Sequence, residues 1–218
     1  MFVYGGVCVD LSLYKMTPLE EWIAEKYLAH SIFTPEDLDI HRIANIFGGE
    51  ISYFPTRSHA RWIDDGSNDF MIILDSRLDE PSLRSEFFHE LCHPLRHVGD
   101  QRTLPKTFRD LQEMQASLFQ QYAAIPFFMV QELVLPVYEN EIPLYLAHTF
   151  NVPVSLATRR FNQIRGRISQ EEYSQRIATY LQSQYSKADP TNWSDETKRL
   201  FLTAIKRKFQ KGQGVVIR

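Results

Sequence analysis

Phe87-Phe88-His89-Glu90-Leu91-Cys92-His93-Pro94-Leu95-Arg96-His97 is the stretch on which the reading of this chain turns. Phe87, Phe88 and Leu91 recur at helical spacing, and Pro81-Ser82 upstream opens a helix, so the spacing predicts a helix ending near Gly99. Inside it, His89-Glu90-Leu91-Cys92-His93 is an HExxH pattern. Helical residues four apart differ by roughly 40° around the axis and about 6 Å along it. Both imidazoles therefore leave one face and can converge on a single ion at about 2.0–2.1 Å. Glu90 is rotated roughly 100° from His89, which keeps it off the ion but close to a water held there. Zinc lowers the pKa of such a water to about 7, so a carboxylate can take its proton and later pass it to a leaving amine. His89 and His93 are the candidate zinc ligands, and Glu90 is the candidate catalytic base.

A third donor downstream argues against the plainer alternative of two surface histidines on an amphipathic helix. Glu113, in Leu111-Gln112-Glu113-Met114-Gln115-Ala116, lies one loop and two helical turns beyond His93, enough for an antiparallel return past the metal. Two histidines and one carboxylate, with water in the fourth position, are an established catalytic zinc set. Small Ala116, one turn on, permits close helix approach. The plain alternative for Glu113 is a solvated helix carboxylate. Asp110 is the nearest rival ligand, but it sits one turn earlier beside Arg109, where a surface pair is expected. His97 completes an i, i+4, i+8 column, yet residues eight apart on a helix stand about 12 Å apart along the axis. Three nearly collinear donors cannot make a tetrahedral site, so His97 is expected behind the ligands. Pro94 removes a backbone donor just after His93, where a kink is expected. Cys92 points off the shared histidine face and reads as a buried free thiol.

Around this centre the chain reads helix, strands, then helices. Thr17-Pro18-Leu19-Glu20 is a capping box opening a helix from Pro18 to about Ala29, and Thr34-Pro35-Glu36-Asp37 starts a second, stopped by Gly48-Gly49. Ile51–Phe54, Ala60–Ile63 and Phe70–Leu74 read as short strands, with a turn at Asp64–Asn68. Helices are expected at Lys106–Ala124, Ile142–Phe150, Ser155–Ile164, Glu171–Tyr185 and Ser194–Phe209, the last carrying basic Lys206-Arg207-Lys208 ahead of Gly212. The fold class is α+β: a mostly helical domain with a small antiparallel sheet, followed by a helical region. The expected organisation is an N-terminal extension at 1–15, a catalytic domain at 16–139 and a helical part at 140–218, with a seam at Asn140.

With 218 residues the chain buries a core without staples, and 44% hydrophobic and 23% charged residues are ordinary for a globular protein. A net charge of -3 gives no electrostatic footprint for nucleic acid or membrane. Two cysteines, Cys8 and Cys92, are too few for a disulfide framework, which fits a reducing cytoplasm. No run approaches the roughly 20 apolar residues of a membrane helix, and the longest, Ala123–Val130, is broken by Pro126. Residues 1–15 lack a basic start and are interrupted by Asp10, so they make a poor signal peptide; a dispensable extension and a short edge strand are the two expectations.

Three segments resemble the ImmA/IrrE metallopeptidases: FFHELCHPLRHVGDQ (87–101), FRDLQEMQASLF (108–119) and LAHTFNVPVSLATRRF (146–161), within a match over roughly 35–165. The resemblance implies a zincin-like domain, with His89, His93 and Glu113 as zinc ligands, Glu90 as the catalytic group, and a helix-turn-helix-like third segment. It also implies an endopeptidase that cleaves a helix-turn-helix repressor of a mobile element, prophage or stress regulon. The chain departs from the pattern at Tyr122-Ala123-Ala124-Ile125-Pro126 and at Pro153. Two other functions compete. One is direct DNA binding by residues 142–165 with Arg159, Arg160, Arg165 and Arg167 on phosphates, although Pro153 sits where a recognition helix must begin. The other is a protease-like partner that binds the repressor without cutting it. Tyr122, Tyr138, Tyr145 and His148 are the candidates for the group that stabilises the oxyanion.

Overall fold

The structure is a computed structural model that describes residues 10–63, 69–97, 104–184 and 189–211. Cys8, the turn at 64–68, Gly99, Tyr185 and Gly212 lie outside the described residues. The chain divides into two compact units after Glu171. Among the described residues no helix is long and apolar enough to cross a membrane.

Among the described residues, which begin at Asp10, the first element is a single 3-10 turn, Leu11–Leu13. Tyr14 behind it is buried, stacked on Phe127 with ring centroids 4.0 Å apart. Leu11 and Leu13 pack against the same core as Tyr14, whereas residues 1–9 of the expected N-terminal extension lie outside the described residues. Helix α1, Pro18–Ala29, begins with the expected box: Glu20 Oε2 accepts from the Thr17 N–H at 2.8 Å, and Thr17 Oγ1 accepts from the Glu20 N–H. The second start signal yields only one 3-10 turn, Pro35–Asp37. There Asp37 takes the N–H groups of both Phe33 and Thr34 and closes the turn on itself. A fresh cap, Asp39, accepts from the Arg42 N–H at 2.7 Å and opens helix α2, Ile40–Ile46.

Strands β1 (Gly49–Phe54), β2 (His59–Trp62) and β3 (Phe70–Asp75) form one sheet in the order β1-β3-β2. β1 runs parallel to β3 and β2 antiparallel to it, so the sheet is mixed and not wholly antiparallel. The reason lies in β3, whose Phe70, Ile72 and Leu74 are all buried. A hairpin of β1 with β2 would leave this most apolar strand at an edge, whereas the observed order gives it a neighbour on each side. Gly49 pairs with Phe70, and a methyl carbon at Gly49 would overlap that ring, with Cδ2 at 2.9 Å. Gly49→Ala is expected to cost about 1–3 kcal/mol, because the buried ring has nowhere to go; denaturant unfolding checks it, and an unchanged midpoint would contradict it.

Helix α3, Glu80–Arg96, is capped by Asp79, and α4, Lys106–Ala124, packs against it. α5 (Phe127–Val130), α6 (Ile142–Thr149) and the start of α7 (Val154–Gln184) follow. Asn151, at φ 49, turns the chain between α6 and α7. The seam expected at Asn140 falls within the first unit, whose single core cluster takes in Ile142, Leu146, Phe150, Leu156, Phe161 and Ile164. Two helices expected at Ser155–Ile164 and Glu171–Tyr185 are instead the single α7. No proline interrupts this stretch, and Gly166 alone costs only about 1 kcal/mol relative to Ala, too little to stop a helix. The second unit holds the end of α7 and helix α8, Asp195–Gln210, capped by Ser194.

Inside the first unit Arg160 of α7 is completely buried, with its Nη2 2.8 Å from Glu20 Oε1 of α1. Its Nε donates to the Ile125 carbonyl at 3.0 Å, and its Nη1 to the Tyr14 hydroxyl and to Gln163. Burial pushes the Glu20 carboxyl up, but Arg160 and the hydrogen bonds from Tyr14 and Thr17 outweigh it and hold Glu20 below the usual carboxylate range.

Candidate metal centre

α3 and α4 lie side by side in opposite directions. Gln120 of α4 donates from Nε2 to both the backbone carbonyl and the hydroxyl of Ser85, each at 2.9 Å. Two helical turns back along α4 is Glu113, and one turn forward from Ser85 along α3 is His89. Ala116, between Glu113 and Gln120, is fully buried, and its small side chain lets the two helices approach.

This packing brings His89, His93 and Glu113 together. His89 Nε2 lies 3.1 Å from Glu113 Oε2, and His93 Nε2 lies 4.0 Å from Glu113 Oε1. One donor atom from each residue falls within 4.8 Å of the others. Donors held tetrahedrally at about 2.0–2.1 Å from one ion stand roughly 3.3 Å apart, so the cluster needs little adjustment to close on a metal. The electrostatics also suit one. Burial, with His89 and His97 adding to it against Glu113, pulls His93 down to about 4, so its ring is neutral and its lone pair available near neutral pH. Glu113 is half-exposed, which leaves the open side of the cluster facing solvent. The donor set and its spacing fit a divalent ion of the zinc type.

Glu90 is buried on α3, where the backbone of Ala60 in β2 reaches its carboxyl and the Glu113 carboxylate acts on it. Burial, then the Glu86 and Glu113 carboxylates, push its carboxyl up to about 8, while Arg57 and the backbone at Ala60 draw it back. A carboxyl poised near neutrality is suited to moving a proton in either direction. The backing by Arg57 and Ala60 carries no sequence signal, because it depends on which strand lies over α3.

His97 is not on the helical column that its spacing suggested. α3 stops at Arg96, and His97 caps it in an extended conformation, φ -112 and ψ 137. Its ring turns back so that Nδ1 lies 2.9 Å from His93 Nδ1. One of the two nitrogens must donate. If His93 offers its Nε2 lone pair to a metal, its Nδ1 carries the proton and His97 accepts it, which fixes the tautomer of the ligand. His97→Phe is expected to weaken zinc affinity about 10–100-fold; competition against a chelator measures this, and unchanged affinity would show that His97 is only packing. Cys92 is buried, and burial pushes its thiol up to about 12, as expected for an inert free thiol.

Among the other candidates, Asp110 is engaged by Lys106 at 2.8 Å and does not join the cluster. Tyr122 is fully buried, and its hydroxyl meets Arg167 Nη2 at 3.2 Å, so it is spent inside the fold and not available to an oxyanion. Of the arginines offered as phosphate contacts, Arg160 is buried against Glu20, Arg167 is partly exposed and donates to the Tyr122 hydroxyl and the Lys15 carbonyl, and Arg165 and Arg159 stay at the surface, within reach of Glu139 and Gln120.

Residues 36–162 match the sequence model of the Peptidase_M78 family, described as the IrrE N-terminal-like domain. The chain is 31% identical over 168 residues to YqaB of Bacillus subtilis (strain 168), covering 77% of this chain and 96% of that protein. It is 28% identical over 166 residues to the phage-like element PBSX protein XkdA of the same organism, covering 76% and 82%.

Proposed function

Because the chain belongs to the Peptidase_M78 family, with its IrrE N-terminal-like domain, we propose that it is a zinc-dependent endopeptidase that cuts a helix-turn-helix transcriptional repressor in the cytoplasm. The observation that carries the reading is the convergence of His89, His93 and Glu113 within 4.8 Å, with buried Glu90 one residue from His89. His89 and His93 would hold the ion through neutral imidazoles and Glu113 through its carboxylate. When bound, zinc lowers the pKa of water to about 7 and draws charge from the scissile carbonyl. Glu90 takes one proton from the attacking water as its oxygen bonds to the carbonyl carbon. It then delivers that proton to the amide nitrogen as the C–N bond breaks, and the proton left on the new carboxyl group passes to the amine, leaving a carboxylate and an ammonium. XkdA bears the name of a phage-like element, which supports a repressor of a mobile element or prophage as the substrate.

Co-expression with a helix-turn-helix repressor as the candidate substrate tests the reading. The wild type is expected to convert the repressor into two fragments and to purify with one zinc per chain by elemental analysis. His93→Ala is expected to lose both properties. A repressor that stays whole beside a zinc-loaded wild type, or a wild type without metal, would overturn it.

A further inference from the structure

The endopeptidase reading leaves one task without a group. As water adds to the scissile carbonyl, negative charge gathers on the carbonyl oxygen. Donors aimed at such charge are usually the largest single contribution to the rate. Tyr122 is spent inside the fold, so the donor must come from elsewhere. It has to stand beside Glu90, which handles the attacking water, and a cation serves best.

The chain places one there. Arg57 stands in the turn between β1 and β2, and its charge acts on the buried Glu90 carboxyl, drawing it down. Ala60, whose backbone reaches that same carboxyl, is three residues further on, at most about 10 Å of chain. The long stem of an arginine covers much of that distance. The backbone that carries Arg57 is pinned. Ser58 is buried, and its Oγ accepts from the Asp75 N–H at 3.1 Å. His59 Nδ1 donates to the Arg57 carbonyl at 2.9 Å. The guanidinium, by contrast, is exposed, and among the described residues it makes no hydrogen bond or ion pair. Its neighbours differ on both counts. Arg77 is committed to Asp75, with Nε at 2.8 Å from Oδ1 and Nη2 at 2.7 Å from Oδ2. Arg61, one residue past Ala60 in β2, falls on the opposite face of the sheet, because strand residues alternate.

We propose that Arg57 is a catalytic residue of this hydrolysis, its guanidinium donating to the scissile carbonyl oxygen as negative charge develops there. A guanidinium does not deprotonate in proteins, so Arg57 lends hydrogen bonds while Glu90 carries the proton. The inference rests on the endopeptidase reading, and its test uses the zinc-loaded full chain. The probes are a peptide spanning the bond that the wild type cuts in the repressor, and a phosphonamidate copy of it, which is tetrahedral and anionic at that bond. Arg57→Met is expected to lower kcat roughly 10²–10³-fold, with zinc content and melting temperature at the wild-type level. Its affinity for the phosphonamidate is expected to fall by a comparable factor. Affinity for the intact peptide, measured by calorimetry with Glu90→Gln in both proteins, is expected to stay within about twofold. Arg61→Met is expected to match the wild type throughout. A wild-type kcat in Arg57→Met would overturn the proposal and leave the endopeptidase reading standing. So would an intact-peptide affinity that falls as far as that for the phosphonamidate, which would make Arg57 a substrate anchor. Arg61→Met as slow as Arg57→Met would reduce the effect to net charge and overturn it likewise. A wild type that cuts no repressor removes both readings together.

Discussion

Glu90→Gln is expected to slow peptide-bond hydrolysis roughly 10²–10⁴-fold, the usual contribution of a positioned acid–base group, while zinc content stays at the wild-type level. The two halves of this expectation have separate physical origins. Glutamine has nearly the same shape as glutamate, so the buried position between α3 and β2 stays filled and the helix that carries both histidines is undisturbed. An amide cannot take a proton from water, so the step assigned to this side chain has no acceptor. Timed cleavage of the repressor by purified protein gives the rate, and elemental analysis gives the metal. Loss of zinc along with activity would make Glu90 a structural residue. If Glu90→Gln still lifts repression in cells while the repressor remains whole, the chain acts by binding its partner and not by cutting it.

Arg160→Met is expected to destabilise the fold by about 3–5 kcal/mol, because it removes one member of a buried ion pair and leaves the other charged. Glu20 loses the contact at 2.8 Å, Ile125 loses a donor to its carbonyl, and the guanidinium stacked 4.8 Å from the Tyr122 ring disappears. Arg167, 3.6 Å from Glu20 and partly exposed, remains as a weak partner and holds the loss toward the lower figure. For a chain of this size the melting temperature falls by roughly 6–20 °C. The pH response has a definite sign. In the wild type the Glu20 carboxyl is held down, so its contribution is present above the unfolded value of about 4.5 and is lost as pH falls through the folded value. Without Arg160, burial pushes the same carboxyl up. The variant then gains relative stability toward acid pH, and its deficit is largest at neutrality. Melting curves from pH 4 to pH 8 check this; a deficit that does not narrow toward acid would show that Glu20 is not the group responsible. Replacing both partners, Glu20→Gln with Arg160→Met, is expected to recover part of the loss.

His89 and His93 were legible from sequence because they depend on one helical turn, and Glu113 because an antiparallel return of α4 needs only a loop of ordinary length. The capping box at Thr17 and the full extent of α4 were local in the same way. What was illegible is non-local. Which edge of β3 receives β2 follows from how three strands and α3 share one core, and no short window of sequence contains that. Arg160 misled for a related reason. An arginine on a helix belongs in water unless a partner waits inside, and its partner lies 140 positions earlier. His97 lies outside the cluster of His89, His93 and Glu113, and only the end of α3 at Arg96 shows where its ring goes.

The tie between Glu20 and Arg160 also sets an order of events on the ribosome. At about 5–20 residues per second, some 7–28 s separate the synthesis of these two positions. Throughout that interval the nascent first helix carries a carboxylate that it cannot bury without its cation. All the residues that would grip the ion are made within the same wait. A message cut short between codons 113 and 160 would therefore yield a chain with every metal donor but no cation to seat its opening helix, leaving the fragment to the cell's quality-control proteases.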